Sequence, residues 1–164
     1  MLINKDFLMN TRPISREGFD KLIKELKQLT EIDRPEILKI VDWARSLGDL
    51  SENADYSAAK EKQRMIDKRI SCIENIIRNA DIIDVRNLSG DKVIFGANVK
   101  VEDEDGNVLC CKILSDVESD GKTVIACSSP MGKAMIGKCV GQTCTVKLPN
   151  GEREFEIIEI NFDK

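Results

Sequence analysis

The chain has 164 residues, of which 33% are charged, 41% apolar and 4% aromatic, a length that admits one domain or two small ones. Its 25 Lys and Arg against 29 Asp and Glu give a formal charge of -4, which excludes a general electrostatic binder of duplex nucleic acid but leaves room for a local basic patch. There is no His, so proton transfer near neutral pH falls to carboxylates, Lys, Cys, Tyr56 or another molecule.

In chain order, the opening nine residues are too short and too polar for a secretory signal. No apolar run is long enough to span a membrane, so a cytoplasmic location is the expectation. From residue 15 the pattern turns helical. Phe19, Leu22, Leu26, Leu29, Ile37, Ile40, Ala44 and Leu47 recur at steps of three and four, with Asp33 in one apolar slot. Ser15 suits an N-cap. Pro35 lacks the N–H that bonds four residues back, so it either kinks this segment or divides it. A second stripe follows in Ala59, Ile66, Ile70, Ile73, Ile77 and Ala80, with charged residues on its other faces. Two such segments around Gly48-Asp49-Leu50-Ser51-Glu52 predict an antiparallel coiled-coil hairpin, its first arm roughly 50 Å long.

After about residue 84 the period becomes strand-like, at 93–95, 99–101, 108–114, 123–127, 143–148 and 154–160, and the net charge moves from -1 over residues 1–84 to -3 over 85–164. Turn signals at Asp105-Gly106-Asn107, Asp120-Gly121 and Pro149-Asn150-Gly151 separate these runs, and residues 131–138 suit one short helix. The expected fold is α+β, with a helical hairpin over 1–84 and a compact antiparallel β domain over 85–164. The six cysteines lack the spacing of a zinc knuckle and read as reduced thiols. Gly121-Lys122-Thr123 lacks the upstream Gly of a phosphate loop, and Glu102-Asp103-Glu104-Asp105-Gly106 lacks the ligand register of a calcium loop; both read as turns.

The chemistry-bearing segment is the inter-helix turn. Asp49 and Glu52 stand three residues apart at the end of the rod and supply hard oxygen donors suited to magnesium, too few to bind it tightly alone. Arg45, Lys60, Arg64 and Lys68 form a basic stripe nearby that suits a phosphodiester strand. On spacing alone, a polar turn and a solvated helix face are the favoured readings of these two features.

The chain resembles the Gre family of bacterial transcript cleavage factors, its GreA-like branch above all. The resemblance rests on Ala44-Arg45-x-x-Gly48-Asp49-Leu50-x-Glu52-Asn53-Ala54-Asp55-Tyr56-x-Ala58-Ala59-Lys60-x-x-Gln63, on residues 81–85 and 93–97, and on Ser129-Pro130-Met131-Gly132-Lys133-Ala134. It extends over nearly the whole chain from Pro13, with the first eight residues preceding the usual family start at Met9. It implies an FKBP-like C-terminal domain that binds RNA polymerase and a coiled coil that enters the secondary channel. Asp49 and Glu52 would help hold a second Mg2+, shared with the polymerase, to cut the 3′ end of backtracked nascent RNA. Arg45 and Lys60 would steer that RNA, with Arg64 and Lys68 as an extension by helical spacing. The segment Ser128, Ser129, Pro130 and Met131 matches the polymerase-contacting loop, Ser128 standing where relatives often carry Asp or Asn. The protein is then an accessory factor, monomeric when free, and not an enzyme by itself. The alternatives are a non-catalytic inhibitor that plugs the channel, which the intact tip motif disfavours, and a prolyl isomerase, which the lack of Tyr or Trp in the C-terminal half disfavours.

Overall fold

The computed structural model describes residues 12–48, 54–149 and 151–163. The contacts divide it into two units, one of residues 19–79 and one of residues 1–18 with 80–164. Periodicity divides the chain once, at residue 84. The contacts place Pro13–Ser15 with the C-terminal unit, because this first strand, β1, pairs in parallel with β2 (Asp81–Ile83), Ile14 opposite Ile82.

Helix α1 (Arg16–Gln28) begins as predicted: the Ser15 hydroxyl accepts from the Gly18 amide at 2.9 Å. It runs through a π-helical turn at Leu29–Asp33 into α2 (Arg34–Ser46). The effect of Pro35 is therefore neither a break nor a simple kink. The Arg34 amide reaches back five residues to the Leu29 carbonyl, and the widened turn sets the proline ring at the start of α2, where no N–H is required. The Thr30 hydroxyl donates to the Leu26 carbonyl at 2.8 Å, and the Gln28 amide spans the turn to Asp33 at 3.1 Å.

A π turn adds one residue, so every later position rotates by about 100° relative to an unbroken α-helix. This corrects part of the predicted apolar stripe. Ile37, Val41 and Ala44 are buried, whereas Ile40 and Leu47 are exposed. On α3 (Ala54–Arg78) the prediction holds, with Ala59, Ile66 and Ile73 buried at heptad spacing. Ile37 and Val41 pack with Ala59 and Ile66, bordered by Leu29, Tyr56 and Ile70. Ion pairs flank this seam: Arg34 to Asp67 at 2.8 Å, and a two-pronged pair from Arg69 to Glu25 at 2.6 and 2.8 Å. The Arg69 fork holds the Glu25 carboxyl below its usual range.

The C-terminal unit is built on a curled five-stranded sheet of β3 (Asn98–Asp103), β4 (Val108–Leu114), β5 (Val124–Ala126), β6 (Thr143–Leu148) and β7 (Gly151–Asn161), in the order β5-β4-β3-β7-β6. Every pairing is antiparallel except β4 with β5, which is parallel. One short helix, α4 (Pro130–Met135), lies between β5 and β6. The fold is thus α+β, as expected. Its core joins Phe95, Val99, Val101, Ile113, Met135, Val146 and Ile157. The run at 93–95, expected as a strand, is no regular strand. Val93 exchanges backbone hydrogen bonds with the segment around Gly137 and Lys138, and Phe95 sits fully buried beside the Gly96 turn. Both rejected motifs are turns: the Asp103 carboxylate accepts the amides of Asp105 and Asn107, and that of Asp120 accepts those of Lys122, Thr123 and Val124. Cys111, Cys127 and Cys144 are buried free thiols, and burial pushes the Cys111 thiol up to about 11.

Candidate functional site

Residues 47 and 48 close the first arm of the hairpin. The Leu47 amide donates to the Ala44 carbonyl at 3.3 Å and the Gly48 amide to the Arg45 carbonyl at 3.5 Å, tightening the last turn. Gly48 has φ of +106°, a value L side chains rarely adopt, which turns the chain off the helix. The second arm starts at Ala54, with Asp55 in its first turn complementing the helix dipole. Asp49 and Glu52, the expected metal-holding pair, lie outside the described residues. In the sequence they fall between Gly48 and Ala54, the residues that bound the two described arms. Among the described residues, no group of three or more His, Cys, Asp or Glu could hold a metal ion. Carboxylates are the oxygen donors magnesium takes, and two of them leave most of such an ion's ligand positions to other groups.

The basic residues are placed unevenly. Arg45 is exposed in the last turn of α2, with Asp42 4.0 Å away. On α3, steps of four drift by about 40° each around the helix. Lys60, nearest the seam, is half-buried and donates to Gln63 at 2.9 Å, while Arg64 and Lys68 are exposed. Arg64 also meets Glu61 at 3.3 Å. Such exposed pairs are worth at most about 1 kcal/mol, so these cations remain available to a phosphate.

A second cluster lies at α4. Ser129 caps the helix, its hydroxyl accepting from the Gly132 amide at 3.0 Å while donating to the Ala126 carbonyl at 2.7 Å. Pro130 is exposed at the first helical position, and Met131 is half-buried against the core. Gly132 is buried so closely that an added Cβ would stand 2.2 Å from the Ala126 carbonyl oxygen. Ser128 is exposed, and its hydroxyl donates to the Asp116 carboxylate. Asp116 escaped the sequence reading, because it lies twelve residues upstream and only the fold brings it to the loop. An acidic group thus stands beside the position where Ser128 has none.

Residues 12–82 match the family model for the N-terminal part of transcription elongation factors, and residues 88–162 match that for the C-terminal part of GreA/GreB. The chain belongs to the GreA/GreB family of transcription elongation factors. It is 46% identical over 156 residues to transcription elongation factor GreA of Helicobacter pylori (strain Shi470), covering 94% of this chain and 95% of that one. It is 43% identical over 156 residues to GreA of Anaeromyxobacter sp. (strain K), covering 94% of each. Among solved structures it matches GreA factor homolog 1 of Thermus thermophilus at 28% identity and a TM-score of 0.45, over 93% of this chain and 99% of that one. As a GreA/GreB member this chain is a transcription elongation factor, and its α4 loop and hairpin tip fall one in each matched part.

Proposed function

We propose that this chain acts in the cytoplasm as a monomer that binds bacterial RNA polymerase through its C-terminal domain. The hairpin then enters the polymerase's secondary channel and stimulates cleavage of the 3′ end of backtracked nascent RNA. One observation carries this reading: two helices packed into a hairpin, the second of 25 residues and about 37 Å long, are joined by the stretch of sequence that contains Asp49 and Glu52. Two acids on the end of a rod make no enzyme alone, but they suit a site whose other half belongs to a partner.

In that site Asp49 and Glu52 would hold a magnesium ion shared with the polymerase's own carboxylates. When bound, this ion supplies Lewis-acid stabilisation of the reacting phosphate and lowers the pKa of water. The two carboxylates also accept hydrogen bonds from the attacking water and so fix its line of approach. Arg45 and Lys60, with Arg64 and Lys68 further along α3, offset phosphate charge on the RNA 3′ segment. Ser128 to Met131, with Asp116 beside Ser128, form the polymerase contact. Pro130 and Ser128 are both exposed, Pro130 held at the first position of the capped helix and Ser128 tied to Asp116.

The test is a transcript assay with three samples. The protein alone with magnesium leaves RNA intact. The same protein added to a stalled, backtracked elongation complex releases short 3′ fragments and restores elongation. Cutting of free RNA, or no shortening of the backtracked transcript, refutes the proposal.

A further inference from the structure

Ile40, Trp43 and Leu47 recur at i, i+3 and i+7 on α2, and they are 45, 56 and 57% exposed. They form a second apolar stripe on a helix whose other stripe, Ile37, Val41 and Ala44, already fills the seam. The π turn produces this arrangement, since an unbroken α-helix would carry Ile40 and Leu47 toward the seam instead. An indole with two branched aliphatic neighbours, held outside by the helix's own phase, is costly to leave in water.

We propose that this stripe is a docking face for an apolar surface of the partner protein that encloses the hairpin, which on the reading above is RNA polymerase. Three features select that occupant. Leu47 adjoins Gly48, and about 6 Å of helix separates it from Trp43, so a protein that receives the tip must also cover the stripe. Three partly exposed side chains amount to a few hundred Å2, the size of a functional patch and well short of the ~800 Å2 per partner that a stable pair of copies requires. A nucleic-acid strand would need phosphate-neutralising charge beside the ring. Arg45 lies about 160° around the helix from Trp43, and among the cations of α2 only Lys39 flanks the stripe, with the acid Glu36 in line with it. The hairpin thus carries a cationic side for RNA and an apolar side for protein, and Trp43 is the anchor, the residue type most enriched among binding hot spots.

The test uses the full chain and assembled, backtracked elongation complexes. A photoreactive amino acid at position 43 should crosslink to polymerase protein. Trp43→Ala and Leu47→Ala, each checked for unchanged thermal melting, should each require about tenfold more factor for half-maximal binding in competition with wild type. Wild-type binding by both variants, crosslinking to RNA in place of protein, or a dimer of the free chain that Trp43→Ala dissolves would overturn the docking face while leaving the cleavage function standing. Failure of the wild-type protein to bind polymerase at all would refute both.

Discussion

The π turn at Leu29–Asp33 and Pro35 are two halves of one device, and deletion of Ile32 separates them. Ile32 is 46% exposed, so its removal takes little from the core. Losing one residue from the widened turn restores α-helical spacing, and Ile37, Val41 and Ala44 keep their phase in the seam, because the turn's extra residue is the one removed. Pro35 then sits inside a regular helix, where its ring meets the carbonyl four residues back and one hydrogen bond is lost, a cost of about 3 kcal/mol. The deletion should therefore destabilise the hairpin by about that amount, a large share of a total stability of 5–15 kcal/mol for a typical domain. Deletion combined with Pro35→Ala should recover most of it. Pro35→Ala alone should change stability by less than ~1 kcal/mol. An all-α path would then swing Ile37 and Val41, 2 and 3% exposed, out of the seam, losing about 1.5–3 kcal/mol for each. Urea unfolding followed by the helical circular dichroism signal measures all three. A neutral deletion, or a double change no better than the deletion alone, would refute the coupling between proline and π turn.

Further outcomes follow from the same geometry. Arg69 lowers the Glu25 pKa, so the pair's contribution is present above the unfolded glutamate pKa, near 4.3, and is lost as pH falls through the lower folded value. Both side chains are more than a third exposed, which holds the effect to a few tenths of a kcal/mol. Urea midpoints of wild type and Glu25→Gln should differ slightly at pH 7 and converge near pH 3; an equal gap at both would contradict this. Gly132→Ala places a methyl group 2.2 Å from the Ala126 carbonyl and 3.0 Å from the Cys127 Cα, backbone atoms with little room to yield. It should cost roughly 1–3 kcal/mol and, by displacing the Ser129 loop, weaken binding to polymerase. Unchanged melting and binding would show that the loop is not held by this contact.

The two helical arms were legible because amphipathic spacing is a local property, and Asp33 in an apolar slot with Pro35 behind it marked where the first arm is irregular. The response of the helix was not legible. A kink, a break and an added residue all fit the same letters, and the choice depends on which phase packs against α3. Periodicity therefore points Ile40 and Leu47 to the seam, and they lie outside it. The pairing of Pro13–Ser15 with Asp81–Ile83 joins three-residue segments far apart in the chain, and neither is long enough to show a period of two. The run at 93–95 has strand composition, yet it serves as an apolar plug between turns. At the proposed site, the spacing of Asp49 and Glu52 and of the basic residues around them is a property of the letters alone, and Asp49 and Glu52 lie outside the described residues. Asp116 could not be placed there, since it meets Ser128 only where β4 and β5 bring its loop to that residue.

On the function proposed above, Asp49 and Glu52 complete a cleavage site whose other half belongs to the polymerase. The initial rate of 3′ RNA shortening in a purified backtracked complex, at saturating factor and magnesium, tests this for wild type beside Asp49→Ala/Glu52→Ala. The double variant should bind the complex as wild type does and lose cleavage by on the order of a hundredfold or more. Cleavage at the wild-type rate by the bound double variant would contradict the account.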